Sequence, residues 1–271
     1  MMAILLRLVI FLALTLTTSA CEVTPWSNDA DCQNLKTSEQ IEKLIIKESN
    51  DGRKDHFKVF LVGDPQGNPA NFEKIIEYAN RRSDSDFLFV LGDLTDMGLA
   101  QEFDWACKIM RKSNKPIIPV IGNHDAISFG KEIWFKLFGD FDFSFQYQGS
   151  QFIIYNDNKF EFENLDNRQV IEEAVNNIEI TQIDHRIAIA HHRPWSEDLG
   201  FNQFLFDMGL SVTIHGHGHH FDYWLEDDVE LPHYMVNSAK NVSYGIMTVY
   251  PDSIEFEDCY KDSCVPAILQ R

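Results

Sequence analysis

Five short segments of this chain end in side chains that bind divalent cations: Gly63-Asp64-Pro65-Gln66, Gly92-Asp93-Leu94-Thr95-Asp96, Gly122-Asn123-His124-Asp125, His191-His192-Arg193-Pro194 and Gly216-His217-Gly218-His219. Taken singly, a Gly-Asp pair reads as a turn and a His-Gly-His as a loop. Taken in this order, they supply enough carboxylate, amide and imidazole groups for two adjacent cations. That ligand set suits metal-assisted hydrolysis of a phosphate ester.

Such groups must be brought together by the elements that carry them. The apolar runs Phe57 to Val62, Phe87 to Leu91 and Ile117 to Ile121 each stop at Gly followed by a polar ligand, the signature of a buried strand cut short. Helical stretches between them, roughly 69–82 and 100–112, make a strand-helix-strand series that feeds a parallel sheet. The ligands then collect at the C-terminal ends of neighbouring strands, where open α/β sheets place their sites. A glycine just before each ligand permits close approach without a Cβ clash. Further on, Phe143, Phe145 and Tyr147 alternate, Gln148-Gly149-Ser150 turns, and Phe152 and Ile154 resume, which reads as a hairpin. Short strands at 187–190 and 212–214 lead into His191 and His215, and segments 234–236, 244–250 and 254–256 suggest a closing antiparallel set. The expected fold class is α/β, with two facing mixed β-sheets flanked by helices.

In order and residue type the five blocks resemble the calcineurin-like metallophosphoesterase superfamily, over about residues 57–220. The chain departs from that pattern at Gln66, which stands where the first block usually has His. This places the resemblance in the Asp-x-Gln branch, which includes manganese-dependent ADP-ribose/CDP-alcohol diphosphatases. The resemblance implies that Asp64, Gln66, Asp93 and His219 hold one cation, and that Asp93, Asn123, His191 and His217 hold the other. Asp93 is then the shared ligand, and a hydroxide bridging the dinuclear site is the nucleophile. The cofactor is two divalent ions, manganese, iron or zinc; an amide oxygen at Gln66 is harder than imidazole and turns the first site away from zinc. His124 is implied to face the leaving oxygen, with Asp96 accepting its other ring proton and keeping it charged. His192 and Arg193 stand next to the phosphate position, while His215, His220, His185 and His233 are read as solvated or supporting. The alternative function is a metal-stabilised binding module without turnover. A module of that kind needs the ligands but not His124.

The formal charge of −19, with 44% apolar residues, bounds the partners. An acidic surface disfavours nucleic acid, which is bound through Lys and Arg. The expected partner is a phosphorylated small molecule or an exposed phosphoester, and no cap domain is visible between the blocks. Residues 1–20 read as an export signal, with Arg7, an apolar run from Leu8 to Leu16, and Thr18-Ser19-Ala20. The next residue, Cys21, completes a sequence similar to the bacterial lipobox, which implies a lipid on Cys21 as the only membrane contact and a periplasmic or cell-envelope location. The alternative is an ordinary signal peptide. Without Cys21, four of the five cysteines remain, an even set for an oxidising compartment. Cys259 with Cys264 and Cys32 with Cys107 is the favoured pairing, a free buried thiol at Cys107 the alternative. The domain reading is a tether and helix over 21–55, a catalytic body over 56–258, and a tail over 259–271.

Overall fold

Each apolar run that ends in glycine and a ligand folds as a strand. A computed structural model describes residues 29–178, 183–195, 198, 200–226 and 229–270; the export signal and Cys21 lie outside the described residues. β1 (Phe57–Val62), β2 (Phe87–Leu91) and β3 (Ile117–Val120) run parallel, linked by α2 (Pro69–Arg81) and α3 (Ala100–Met110). α2 starts where Pro69 fixes the first helical φ and the Asn68 side chain accepts from the Asn71 N–H, capping an otherwise unbonded donor. An earlier helix, α1 (Thr37–Asp51), packs before β1.

The second half supplies α4 (Gly130–Leu137), β4 (Phe143–Tyr147), β5 (Ser150–Ile154), α5 (Asn167–Asn176), β6 (His185–Ile189), α6 (Phe201–Asp207), β7 (Val212–His215), β8 (Asp222–Glu226) and β9 (Val229–Met235). It closes with β10 (Ser243–Val249), β11 (Ile254–Tyr260) and β12 (Ser263–Pro266). One sheet has the order β12-β11-β10-β1-β2-β3 and the other β4-β5-β6-β7-β9-β8. Both are mixed: antiparallel β10 to β12 extend the parallel strands of the first, and β4 and β8 are antiparallel edges of the second. The β4–β5 turn places Gln148 and Gly149 at positive φ (51° and 80°), the two-residue hairpin geometry that matches strand twist.

Alternation along the strands divides the apolar residues into layers. Val59 and Leu61 of β1 and Phe87 and Phe89 of β2 pack between the sheets against Phe152, Ile187 and Ile214. Phe60 and Val62 face the other way, into Phe72, Ile75 and Phe103 of α2 and α3. Outside the second sheet, Ile153 and Ala188 meet Ile171 of α5 and Leu205 of α6. Each fully buried Val, Leu, Ile or Phe among these contributes about 1.5–3 kcal/mol.

Two expectations need correction. Residues 259–270 are not a tail: Cys259 in β11 and Cys264 in β12 are register partners joined by a disulfide, and β12 is an edge strand of the first sheet. Its four residues end in Pro266 and carry no buried alternation, so periodicity does not reveal it. The helix of segment 21–55 is part of the body. Leu44 is fully buried between the sheets, and Gln40, also buried, accepts from the Ile117 N–H at the edge of β3 that pairs with no other strand. Cys32 and Cys107 are also disulfide-bonded, which removes the free-thiol alternative. Among the described residues no helix is long and apolar enough to cross a membrane.

Candidate metal centre

The candidate ligands meet where β1, β2 and β3 of one sheet and β6 and β7 of the other reach their C-terminal ends. Asp64, Asp93, His217 and His219 all adopt left-handed backbone, with φ of 44°, 55°, 61° and 54°. This region is uncommon for residues other than glycine, and such strain concentrates at functional sites. The adjacent glycines allow the approach. A Cβ on Gly92 would lie 2.2 Å from His191 Nδ1, and one on Gly122 would lie 2.2 Å from Asp93 Oδ1.

Two groups of ligand atoms result: Asp64, Asp93 and His219, and His191, His192 and His217. In the first, His219 Nε2 lies 3.4 Å from Asp64 Oδ1, and the Gln66 amide donates to Asp93 Oδ2 at 3.1 Å. In the second, His191 Nε2 is 3.1 Å from Asn123 Oδ1, 3.4 Å from Asp93 Oδ1 and 3.3 Å from His217 Nδ1. Asp93 touches both groups. The residues fit cations on a further ground: Asp64 Oδ2 and Gln66 Oε1 are buried without a hydrogen-bond partner, an arrangement that costs energy unless something electropositive faces it. A half-turn of the Gln66 amide would present its oxygen where the nitrogen now meets Asp93.

The electrostatics agree. Burial alone would lower the His191 pKa, but the Asp93 and Asp64 carboxylates push it up to about 10. Burial would raise Asp93, yet His191 and His124 bring it down to about 2. A proton on His191 thus takes the place of positive charge among buried acids. His191 Nδ1 donates to the Leu91 carbonyl at 2.7 Å, which leaves Nε2 as the ligand atom.

His124 sits beside the two groups, its N–H donating to Asp93 Oδ1 at 3.0 Å. The expected carboxylate partner for its ring is not what the structure shows. His124 Nδ1 is bonded to the main-chain carbonyl of Asp96 at 2.7 Å, while the Asp96 carboxylate turns toward Gly67. A carbonyl only accepts, so Nδ1 is the donor of this bond, and the ring can release a proton from Nε2 and remain the neutral Nδ1–H tautomer.

Two supporting groups, Asp125 and Asp157, received no assigned role from sequence. Asp125 is fully buried and accepts from the Gly122 N–H, the Thr95 N–H and the Thr95 hydroxyl, clamping the second and third blocks together. Burial, then the Asp93 charge, raises its pKa to about 7. Asp157 accepts from the His192 N–H, and burial raises it to about 8. The available signal was Asn156-Asp157-Asn158, a polar run just after an apolar strand as in the other blocks but without their glycine. His192 is buried with its ring 3.9 Å from that of His217, while Arg193 is exposed. His215 and His233 are buried rather than solvated, linked through the Thr213 hydroxyl at 2.8 and 2.6 Å. His185 meets the Tyr250 carbonyl, and His220 is exposed.

Residues 57–221 match the family model described as calcineurin-like phosphoesterase. No curated protein sequence matches this chain. Among solved structures, the fold is similar to purple acid phosphatase PPD1 from yellow lupin (Lupinus luteus) seeds, with a TM-score of 0.63 and 12% identity, covering 79% of this chain and 53% of that one. This chain therefore spans about half the length of the lupin chain. It is also similar to GAP50, described as the anchor in the inner membrane complex of Plasmodium (TM-score 0.56, 10% identity, 80% and 90% covered). A third likeness is to the protein TT1561 of Thermus thermophilus (0.51, 12%, 74% and 98%). At these identities the likeness is one of fold.

Proposed function

The chain belongs to the calcineurin-like phosphoesterase family, and from that premise we propose that it hydrolyses a phosphate ester with two divalent cations held by Asp64, Gln66, Asp93, Asn123, His191, His217 and His219. The observation that carries this reading is the meeting of two ligand groups at Asp93, which belongs to one and lies 3.4 Å from His191 Nε2 of the other, with Asp64 Oδ2 and Gln66 Oε1 buried there without a hydrogen-bond partner. Cations held by these residues would supply Lewis acidity and positive charge to a phosphate group. The chain's own residues do the rest. Asp93 and His191 set the spacing of the two sites, Asp125 fixes the loops that carry Asn123 and Asp93, and His124, oriented by the Asp96 carbonyl, delivers a proton to the leaving oxygen through Nε2.

Gln66 supports placement in the Asp-x-Gln branch, and its amide oxygen favours manganese, magnesium or iron(II) at the first site. The test is hydrolysis by the manganese-loaded protein of a monoester, a diester and a pyrophosphate, against the same protein treated with chelator. Metal-dependent turnover of one class identifies the reaction. Inertness toward all three, with metal bound, leaves the binding module, a reading the likeness to GAP50 keeps in view because that protein is described as an anchor.

Export and lipid attachment at Cys21 form part of the same proposal. The two disulfides among Cys32, Cys107, Cys259 and Cys264 support an oxidising compartment and account for every other cysteine. Metabolic labelling with a radioactive fatty acid, lost in Cys21→Ser, is the expected result; equal labelling of the variant contradicts it.

A further inference from the structure

We propose that the substrate's leaving alcohol carries a small apolar group, seated in a cavity between α2 and α3 that adjoins the metal centre. The proposal rests on the phosphoesterase reading above and names the substrate class of that site. The cavity is about 180 Å³ and is walled by Pro69, Phe72, Leu94, Trp105, Ala106 and Ile109. For scale, a cavity of ~150 Å³ lined by apolar side chains accepts benzene.

Two observations direct the leaving group there. Gln66, a ligand of the first cation in the reading above, lines the cavity together with Thr95 and Asp96, so the cavity adjoins that site. Two further polar groups of the lining are engaged elsewhere. Glu102 Oε2 accepts the N–H groups of Met97 and Leu99, and the Thr95 hydroxyl donates to Asp125 while accepting from the Gly98 N–H. Apart from the Gln66 amide and the Asp96 carboxylate, the walls offer a ligand hydrocarbon, with the half-exposed indole of Trp105 among them. A larger cavity of about 430 Å³ beside the other ligand group presents His192, Arg193, His217 and His220 together with Pro194, Trp195 and Met235, and so offers a guanidinium and imidazoles that the smaller cavity lacks.

The test compares benzyl phosphate with methyl phosphate, whose leaving alcohols are of similar acidity, on the manganese-loaded full chain. The expected result is a kcat/KM about tenfold or more higher for benzyl phosphate, the discrimination an apolar pocket gives for a few carbon atoms. That ratio should fall toward one in Trp105→Ala and return in Trp105→Phe. Trp105 is 47% exposed, so its truncation leaves the core intact. Calorimetry with benzylphosphonate and methylphosphonate gives a second readout free of turnover, with the benzyl compound binding more tightly to the wild type than to Trp105→Ala. Equal kcat/KM for the two esters in the wild type overturns the pocket assignment and leaves the phosphoesterase reading standing. Hydrolysis of neither, nor of any other phosphate ester, overturns both.

Discussion

His124 and Asp96 show how a residue's role depends on which of its atoms reaches the partner. Spacing pairs an imidazole with a carboxylate; the fold pairs it with the carbonyl of the same residue, 2.7 Å from Nδ1. An Asp96→Asn substitution leaves that carbonyl in place, so His124 keeps its orientation. Removing the ring has a larger effect. His124→Ala should lower kcat by about a hundredfold or more, the usual worth of a positioned general acid, while metal content, measured on the same sample, stays at the wild-type value. Unchanged kcat would remove His124 from the mechanism. The candidate ligands were legible because Asp64, Asp93, Asn123, His217 and His219 each follow a glycine just after a strand, and Gln66 and His191 fall in the same ordered blocks. Asp157 was not, although it too ends a strand, because no glycine precedes it and the Asn156-Asp157-Asn158 run reads as an ordinary loop.

At the scale of elements, parallel β1 to β3 and their helices follow directly from apolar runs and the 3.6-residue period between them. The edges do not. β8 is half-buried along its whole length and β12 is mostly exposed, so neither shows alternation. The place of α1 is also set by contacts that only the fold reveals. Asp86, directly before β2, accepts from Lys47 of α1 at 2.8 Å, from Lys54, from the Lys58 N–H of β1 and from the Tyr147 hydroxyl of β4. Burial would raise its pKa, but Lys47 and Lys54 hold it below the usual carboxylate range. Asp86→Asn should therefore cost about 1–3 kcal/mol at pH 7, the consequence of leaving ammonium groups beside a neutral partner. A depressed folded pKa gives stability that is present above the unfolded value of about 3.9 and is lost as the pH falls through the folded one. Thermal melts of wild type and variant should accordingly differ at pH 7 and converge as the pH is taken below about 4. A difference that persists at low pH would mean the ion pairs are not its source.

At the scale of the molecule, the centre is assembled from both sheets: the first supplies Asp64, Gln66, Asp93 and Asn123, the second His191, His217 and His219. Both halves of the chain are therefore needed to build the two cation sites proposed. The disulfide from Cys32 to Cys107 encloses all of β1, α2 and β2, which keeps that half together outside a reducing compartment. With a formal charge of −19, the chain attracts phosphate only where cations neutralise the acids locally. The most direct check is a metal count on purified manganese-loaded protein, wild type beside Asp93→Ala. The account predicts two equivalents in the wild type and a loss from both sites in the variant, because Asp93 touches each ligand group. Two equivalents retained without Asp93 would contradict the shared centre.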